Sequence, residues 1–312
     1  MRFVLLCPMP RKCRPQPARR ATRLAAKRLA AIAAVVLAAC ISSVFPVHAG
    51  AQEVAARTVS SLDLAYTFEV DRRLDVPTAE QVFYARTLDA ALRQHEPPDL
   101  PSQYVALVDR DPQVQALFLY RLNAETVPRS WQFIGASPVS TGKPGRYDYF
   151  ETPTGVFEHT LANRDFRAEG TKNSQGILGY GVRGMRVYDF GWVLAQRGWK
   201  SASGRGGYSQ MRLQMHATDP YQLEQRLGTR ASKGCIRIPA SLNVFLDRYG
   251  VLDADYEQAL ATGARLWVMR ADRTPVADPG RYLVIIDSGR NERPAWSPAP
   301  STKSGPKPVA KN

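Results

Sequence analysis

Thirteen of the chain's 22 glycines fall between residues 142 and 207. Glycine loses more conformational freedom on ordering than any other residue, so a stretch this rich in it cannot be a helical bundle or a repeat of long helices. Long loops around a cleft are the expected result, with Met185–Trp192 the one plausible strand in the segment. Upstream, the runs Tyr104–Val108, Ala116–Leu122 and Trp131–Val139 are short, apolar and separated by Asp-Pro, Asn and Gly turns, which predicts strands in a meander. Downstream, Arg212–His216, Cys235–Ile238, Leu266–Met269 and Tyr282–Ile286 read as further strands. Pro239–Tyr249 starts a helix with Leu242, Phe245, Leu246 and Tyr249 on one side. Residues 50–103 form a helical lead-in, with Val82, Ala85, Leu88 and Leu92 at helical spacing before Glu96-Pro97-Pro98. The fold class is therefore mainly β, with a short N-terminal helical segment and a few peripheral helices.

The formal net charge of +14 invites a nucleic-acid reading, but its location argues otherwise. Residues 1–49 carry nine of the 42 Lys and Arg residues and none of the 28 acids, so the remainder has a net charge of only +5. This leader has a basic run ending at Arg28, an apolar run from Leu29 to Ala39 and small residues after it, the layout of an export signal. Val47-His48-Ala49 fits ordinary cleavage before Gly50. Leu37-Ala38-Ala39-Cys40 also reads as a lipobox, which would anchor the chain through a lipid on Cys40, the only membrane contact expected. An uncleaved membrane anchor is the third alternative, and all three would place the body outside the cytoplasm, in the periplasm or envelope. After the leader the expected divisions are a lead-in to 103, a catalytic domain over 104–270 and an extension over 271–312. That extension ends in a tail with five prolines in twenty residues.

Cys7, Cys13 and Cys40 all belong to the leader, which leaves Cys235 as the single thiol of a cleaved chain. An exported protein with one unpaired cysteine is exposed to oxidation, so a functional thiol becomes a reasonable expectation. Alone, Cys235 reads as a core residue, His216 as a hydrogen-bonded histidine at a strand end and Arg237 as a surface ion pair. Together they form Ser232-Lys233-Gly234-Cys235-Ile236-Arg237, nineteen residues after His216 when counted to the cysteine. Thiolate chemistry needs a nucleophile, an imidazole to take its proton, N–H donors for an oxyanion and a group to place the substrate. This segment together with His216 could supply all four. Gly234 allows a tight turn beside Cys235, while Lys233 and Arg237 make its surroundings electropositive.

His…Ser-x-Gly-Cys-x-Arg, with Ser140-Thr141-Gly142 and Thr152-Pro153-Thr154-Gly155-Val156-Phe157 upstream, resembles the L,D-transpeptidase catalytic domain of the YkuD type over about residues 104–270. The resemblance implies a β-rich domain that cuts a peptidoglycan stem peptide between an L-centre and the D-residue after it. Cys235 would be the acylated nucleophile, open also to carbapenems, His216 the base, and Gly234 with Cys235 the oxyanion donors. Arg237, Ser232 and Lys233 would hold the motif or the substrate. The partners implied are stem peptides and an amine acceptor, either a second stem or a wall-attached protein. A hydrolase on the same scaffold and a non-catalytic wall-binding module are the alternatives. Two positions depart from the family pattern: Ala217 stands where glycine is usual, although the backbone carbonyl there is what orients the imidazole, and Lys233 stands where histidine is usual.

Other signals carry less. Gly179-Tyr180-Gly181-Val182-Arg183-Gly184 spells a dinucleotide-binding pattern without the preceding strand or following helix. Arg205-Gly206-Gly207-Tyr208 occurs once and is no RNA-binding repeat, so no nucleic-acid partner is expected. His159 has no partner at metal spacing, and no cofactor or metal is expected. A papain-type arrangement fails because its cysteine precedes its histidine. Trp192 and Trp199 could stack on sugars, although aromatics in β-proteins more often fill cores.

Overall fold

The computed structural model describes residues 62–95, 100–198 and 206–298, all within a compact unit spanning 47–312. The leader, Trp199 and the tail beyond 298 lie outside the described residues, whereas the start of the expected flexible tail is docked, with Ser297 donating from Oγ to the Gln113 carbonyl at 2.8 Å. Helix α1 covers 62–69 and α2 Thr78–His95. The first sheet has the order β3-β2-β1-β9-β4, where β1 is Gln103–Asp109, β2 Ala116–Asn123, β3 Ser130–Pro138, β4 Gly155–Glu158 and β9 Tyr282–Ile286. The second has the order β5-β6-β7-β8, where β5 is Phe166–Arg167, β6 Arg186–Gln196, β7 Tyr208–Ala217 and β8 Ile236–Ile238. Helices α3 (Ala240–Arg248) and α4 (Ala254–Ala261) follow β8.

Strand β1 reads as an unbroken apolar run because both its faces are covered. Tyr104, Ala106 and Val108 enter a core shared with Leu213 and Met215 of β7 and Leu242, Phe245 and Leu246 of α3. Val105 and Leu107 face the opposite way, into a core closed by α2. The stripe that seats α2 is Tyr84, Leu88 and Leu92 rather than the expected one through Val82, which is exposed. The reason is aromatic packing: the Tyr84 ring stacks on Phe118 at 3.9 Å.

Three expectations from the sequence need correction. Leu266–Met269 is a turn closed by the Met269 N–H on the Leu266 carbonyl, with Val268 its buried residue. The glycine-rich segment contains β4 and β5 besides β6. Finally, 270 is not the edge of the fold, because β9 lies between β1 and β4, parallel to the first and antiparallel to the second.

Candidate active site

Strand β7 carries His216 near its end and pairs in parallel with β8, aligning Met215 with Ile236 and His216 with Arg237. Cys235 immediately precedes β8, so this register brings the thiol to the side of β7 that holds Gln214 and His216. The adjacency that the motif requires is thus a product of strand pairing across residues 218–235.

The loop before Cys235 is fixed from both sides. Ser232, buried, donates from Oγ to the Cys235 carbonyl at 2.5 Å and accepts the Gly234 N–H at 3.0 Å. Ser232 is therefore an internal brace of the loop, and the Gly234 N–H is engaged within it. Gly234 has φ 138°, and a Cβ there would meet the Met211 sulfur at 2.9 Å. Thr152, buried in the Thr-Pro-Thr-Gly turn, donates from Oγ1 to the Gly234 carbonyl at 2.7 Å and accepts the Gly142 N–H at 2.9 Å. The Phe150 N–H binds the Lys233 carbonyl and the Lys143 N–H the Ser232 carbonyl, each at 3.0 Å. The upstream motifs thus form a rigid wall for the cysteine loop.

His216 is buried, and its Nδ1 lies 2.8 Å from the Ala217 carbonyl. A carbonyl can only accept, so Nδ1 carries the proton and Nε2 keeps its lone pair. Burial pushes the imidazole down to about 4, opposed by the Ala217 hydrogen bond and assisted by the Arg237 charge. Burial likewise raises the Cys235 thiol, against the backbone N–H of Gln214, the Arg237 charge and its own N–H, which favour thiolate. At neutral pH the pair therefore rests as neutral imidazole and neutral thiol. The cation acting on the thiol is Arg237; Lys233 is exposed, with Nζ 5.9 Å from the Tyr149 ring centroid. Arg237 also donates to the Ala231 carbonyl at 3.4 Å.

Three residues not singled out from sequence complete the surroundings. The Tyr180 ring meets His216 edge-on, centroids 4.7 Å apart, and its hydroxyl donates to Gln214 Oε1 at 3.3 Å. Gln214 Nε2 donates in turn to Asp189 at 2.9 Å. Tyr180 comes from the glycine pattern dismissed as a nucleotide loop, and its flanking glycines are the signal that could have found it. Gly181 has φ 84°, and a Cβ there would stand 2.8 Å from the Ala217 methyl. The absence of a side chain at 181 thus makes room for the alanine at 217. On the far side of Tyr180 a cavity of about 220 Å³ is lined by residues including Glu169, Lys172 and Asn173.

His159 lies apart from this site, with Nδ1 2.7 Å from the Leu252 carbonyl and Nε2 2.8 Å from Asp165. Asp165 also accepts from the fully buried Arg186 at 2.6 Å. Trp192 is 65% exposed and so is not a core aromatic. The family model that describes the L,D-transpeptidase catalytic domain, YkuD, matches residues 103–251. No curated protein matches the chain.

Proposed function

We propose, from the match of residues 103–251 to the family model of the L,D-transpeptidase catalytic domain, that this protein acylates itself at Cys235 with a peptidoglycan stem peptide and passes the acyl group to an amine. The observation that carries this reading is the His216 tautomer: Nδ1–H on the Ala217 carbonyl leaves Nε2 as a base on the strand face that Cys235 adjoins.

Nε2 takes the proton from Sγ as sulfur attacks the carbonyl of the L-centre before the scissile bond. The Cys235 N–H is the oxyanion donor, since the Gly234 N–H is held by Ser232. Collapse breaks the C–N bond; the departing amine of the D-residue takes the proton from the imidazolium and leaves a thioester. An acceptor amine then attacks the thioester, loses its proton to Nε2, and releases the thiol as a new amide forms. Arg237 steadies the thiolate. Export to the periplasm or envelope belongs to this proposal, with the leader either cleaved after Ala49 or lipidated at Cys40.

Intact mass spectrometry of the chain from Gly50, wild type and Cys235→Ala, tests the reading after incubation with a carbapenem and separately with a tetrapeptide muropeptide. The expected outcome is a covalent adduct on wild type only, with loss of the terminal D-alanine. Cross-linked products identify amine transfer, and shortened stems alone identify hydrolysis. A folded protein with a free thiol, no adduct and an intact muropeptide would point to a non-catalytic wall-binding module.

A further inference from the structure

Strands β6 and β7 pair so that Val187 faces His216, Asp189 faces Gln214, Trp192 faces Arg212, Leu194 faces Gln210 and Gln196 faces Tyr208. Directly opposed residues of an antiparallel pair share a face. The register shifts between Asp189 and Trp192, where Gly191 has φ 83° and its N–H binds Asp189 Oδ1 at 2.9 Å. This bulge inserts one residue and puts Trp192 on the same face as Asp189. One continuous face therefore begins at His216 and runs outward to Tyr208. Its inner end is buried and its outer part is open: Trp192 is 65% exposed, Leu194 60% and Tyr208 66%. The opposite face, through Tyr188, Val193, Ala195 and Met211, packs into the core, so these three side chains do not serve the fold in the same way.

Length selects the occupant. Cys235 is level with Gln214, so at roughly 3.4 Å per residue Trp192 and Arg212 lie about 7 Å from it along the strand, Leu194 about 14 Å and Tyr208 about 20 Å. The three residues of a stem up to the scissile bond span at most about 11 Å when extended. A stem with its scissile carbonyl at Cys235 passes Trp192 and is used up before Leu194, so whatever touches Leu194 and Tyr208 must be what the stem hangs from. The Arg212 guanidinium, anchored through Nε on Asp189 at 2.6 Å, stands on this face opposite Trp192, a cation suited to a carboxylate.

We infer that Trp192, Leu194 and Tyr208 form a platform for the glycan strand of peptidoglycan, the two aromatic rings stacking on pyranose faces while Arg212 meets the stem. This rests on the stem-peptide reading above and adds a second recognition element to it. Aromatic faces suit such a ligand because a pyranose ring presents an apolar C–H surface beside its hydroxyls.

The test compares kcat/KM for tetrapeptide stems carried on glycan chains with that for the free tetrapeptide. In wild type the ratio is expected to exceed about tenfold, the scale of two aromatic contacts. It should fall close to one in the double variant Trp192→Ala/Tyr208→Ala and be largely retained in Trp192→Phe. A wild-type ratio near one, or a ratio unchanged by the double substitution, overturns the platform. Inactivity of wild type on both substrates would count against the transpeptidase reading itself. Co-sedimentation with glycan chains stripped of stems decides the platform independently: binding by wild type that the double variant loses supports it, and equal or absent binding overturns it.

Discussion

A buried histidine held neutral and a half-buried thiol held protonated make a different starting point from a pre-formed thiolate–imidazolium pair. The reactive ion pair arises only when a proton crosses from Sγ to Nε2, so both groups must begin in their neutral forms. His216 loses competence when it is protonated, and burial has moved that event down to about 4. Cys235 loses its proton prematurely only at high pH, because burial raises the thiol. The kcat/KM profile on a tetrapeptide is therefore expected to fall on the acid side near pH 4 rather than near the ordinary histidine value of about 6.5. Its alkaline limb should lie above the free-cysteine value of about 8.5. His216→Ala should remove the acid limb and slow acylation by roughly two to four orders of magnitude. A wild-type acid limb near 6.5 would mean that the imidazole is solvated in the working enzyme. At this scale the sequence singles out Cys235, His216 and Arg237 by residue type and order within one motif, and the β7–β8 register then sets them side by side. The bracing of Ser232 and Gly234 and the exposure of Lys233 were not legible there: which way a loop's N–H groups and side chains point depends on bracing partners some 80 to 90 residues away, such as Thr141 and Thr152.

At the level of elements, the cysteine loop is held less by its own sequence than by the Gly142–Thr152 segment beside it. Thr152 satisfies a buried carbonyl on the loop and a buried N–H on Gly142 with one hydroxyl. Replacing it with valine keeps the shape and leaves both groups unpaired, at about 1–3 kcal/mol each. Thr152→Val is expected to lower the melting temperature by roughly 4–12 °C and to depress acylation of Cys235, with Thr152→Ser restoring much of both. Loss of acylation with an unchanged melting temperature would mean that the hydroxyl acts on substrate instead. Strands β1 and β2 were legible because double-sided burial makes them nearly continuous apolar runs. Helix α3 was legible for its periodic Leu242, Phe245 and Leu246. Helix α4 was not, since Tyr256 is its buried residue and no apolar period marks it. Strand β5 has two residues, too few for any period.

Across the whole molecule, the fold closes through its C-terminal third. Arg186 of β6, fully buried, pairs with Asp165 at 2.6 Å, Asp253 at 2.7 Å and Asp247 at 3.4 Å, tying the second sheet to α3 and to the start of α4. Tyr66 of α1 donates to or accepts from Ser137 at 2.6 Å and lies against Gly135, where a Cβ would overlap its ring. The lead-in is thereby seated on the first sheet. Strand β9 is the decisive piece, although it lies beyond the matched segment and was read from sequence as part of an extension. Its parallel partner β1 is some 180 residues earlier, and no local pattern encodes a pairing of that range. Tyr282, Leu283, Val284 and Ile285 are all buried, divided between the two cores. At about 1.5–3 kcal/mol for each large apolar side chain, their removal costs roughly 6–12 kcal/mol, comparable with the entire stability of a typical domain. It also strips β1 and β4 of a hydrogen-bonding neighbour. A chain ending at 270 should accordingly show no cooperative thermal transition and rapid proteolysis, whereas one ending at 298 should melt cooperatively and retain Cys235 acylation. Val284→Asp in the full chain places an unpaired carboxylate in the α2-side core and should reproduce the loss without any truncation. A 270-residue chain that melts cooperatively at the full-length temperature would show that β9 is an accessory strand and that the domain closes without it.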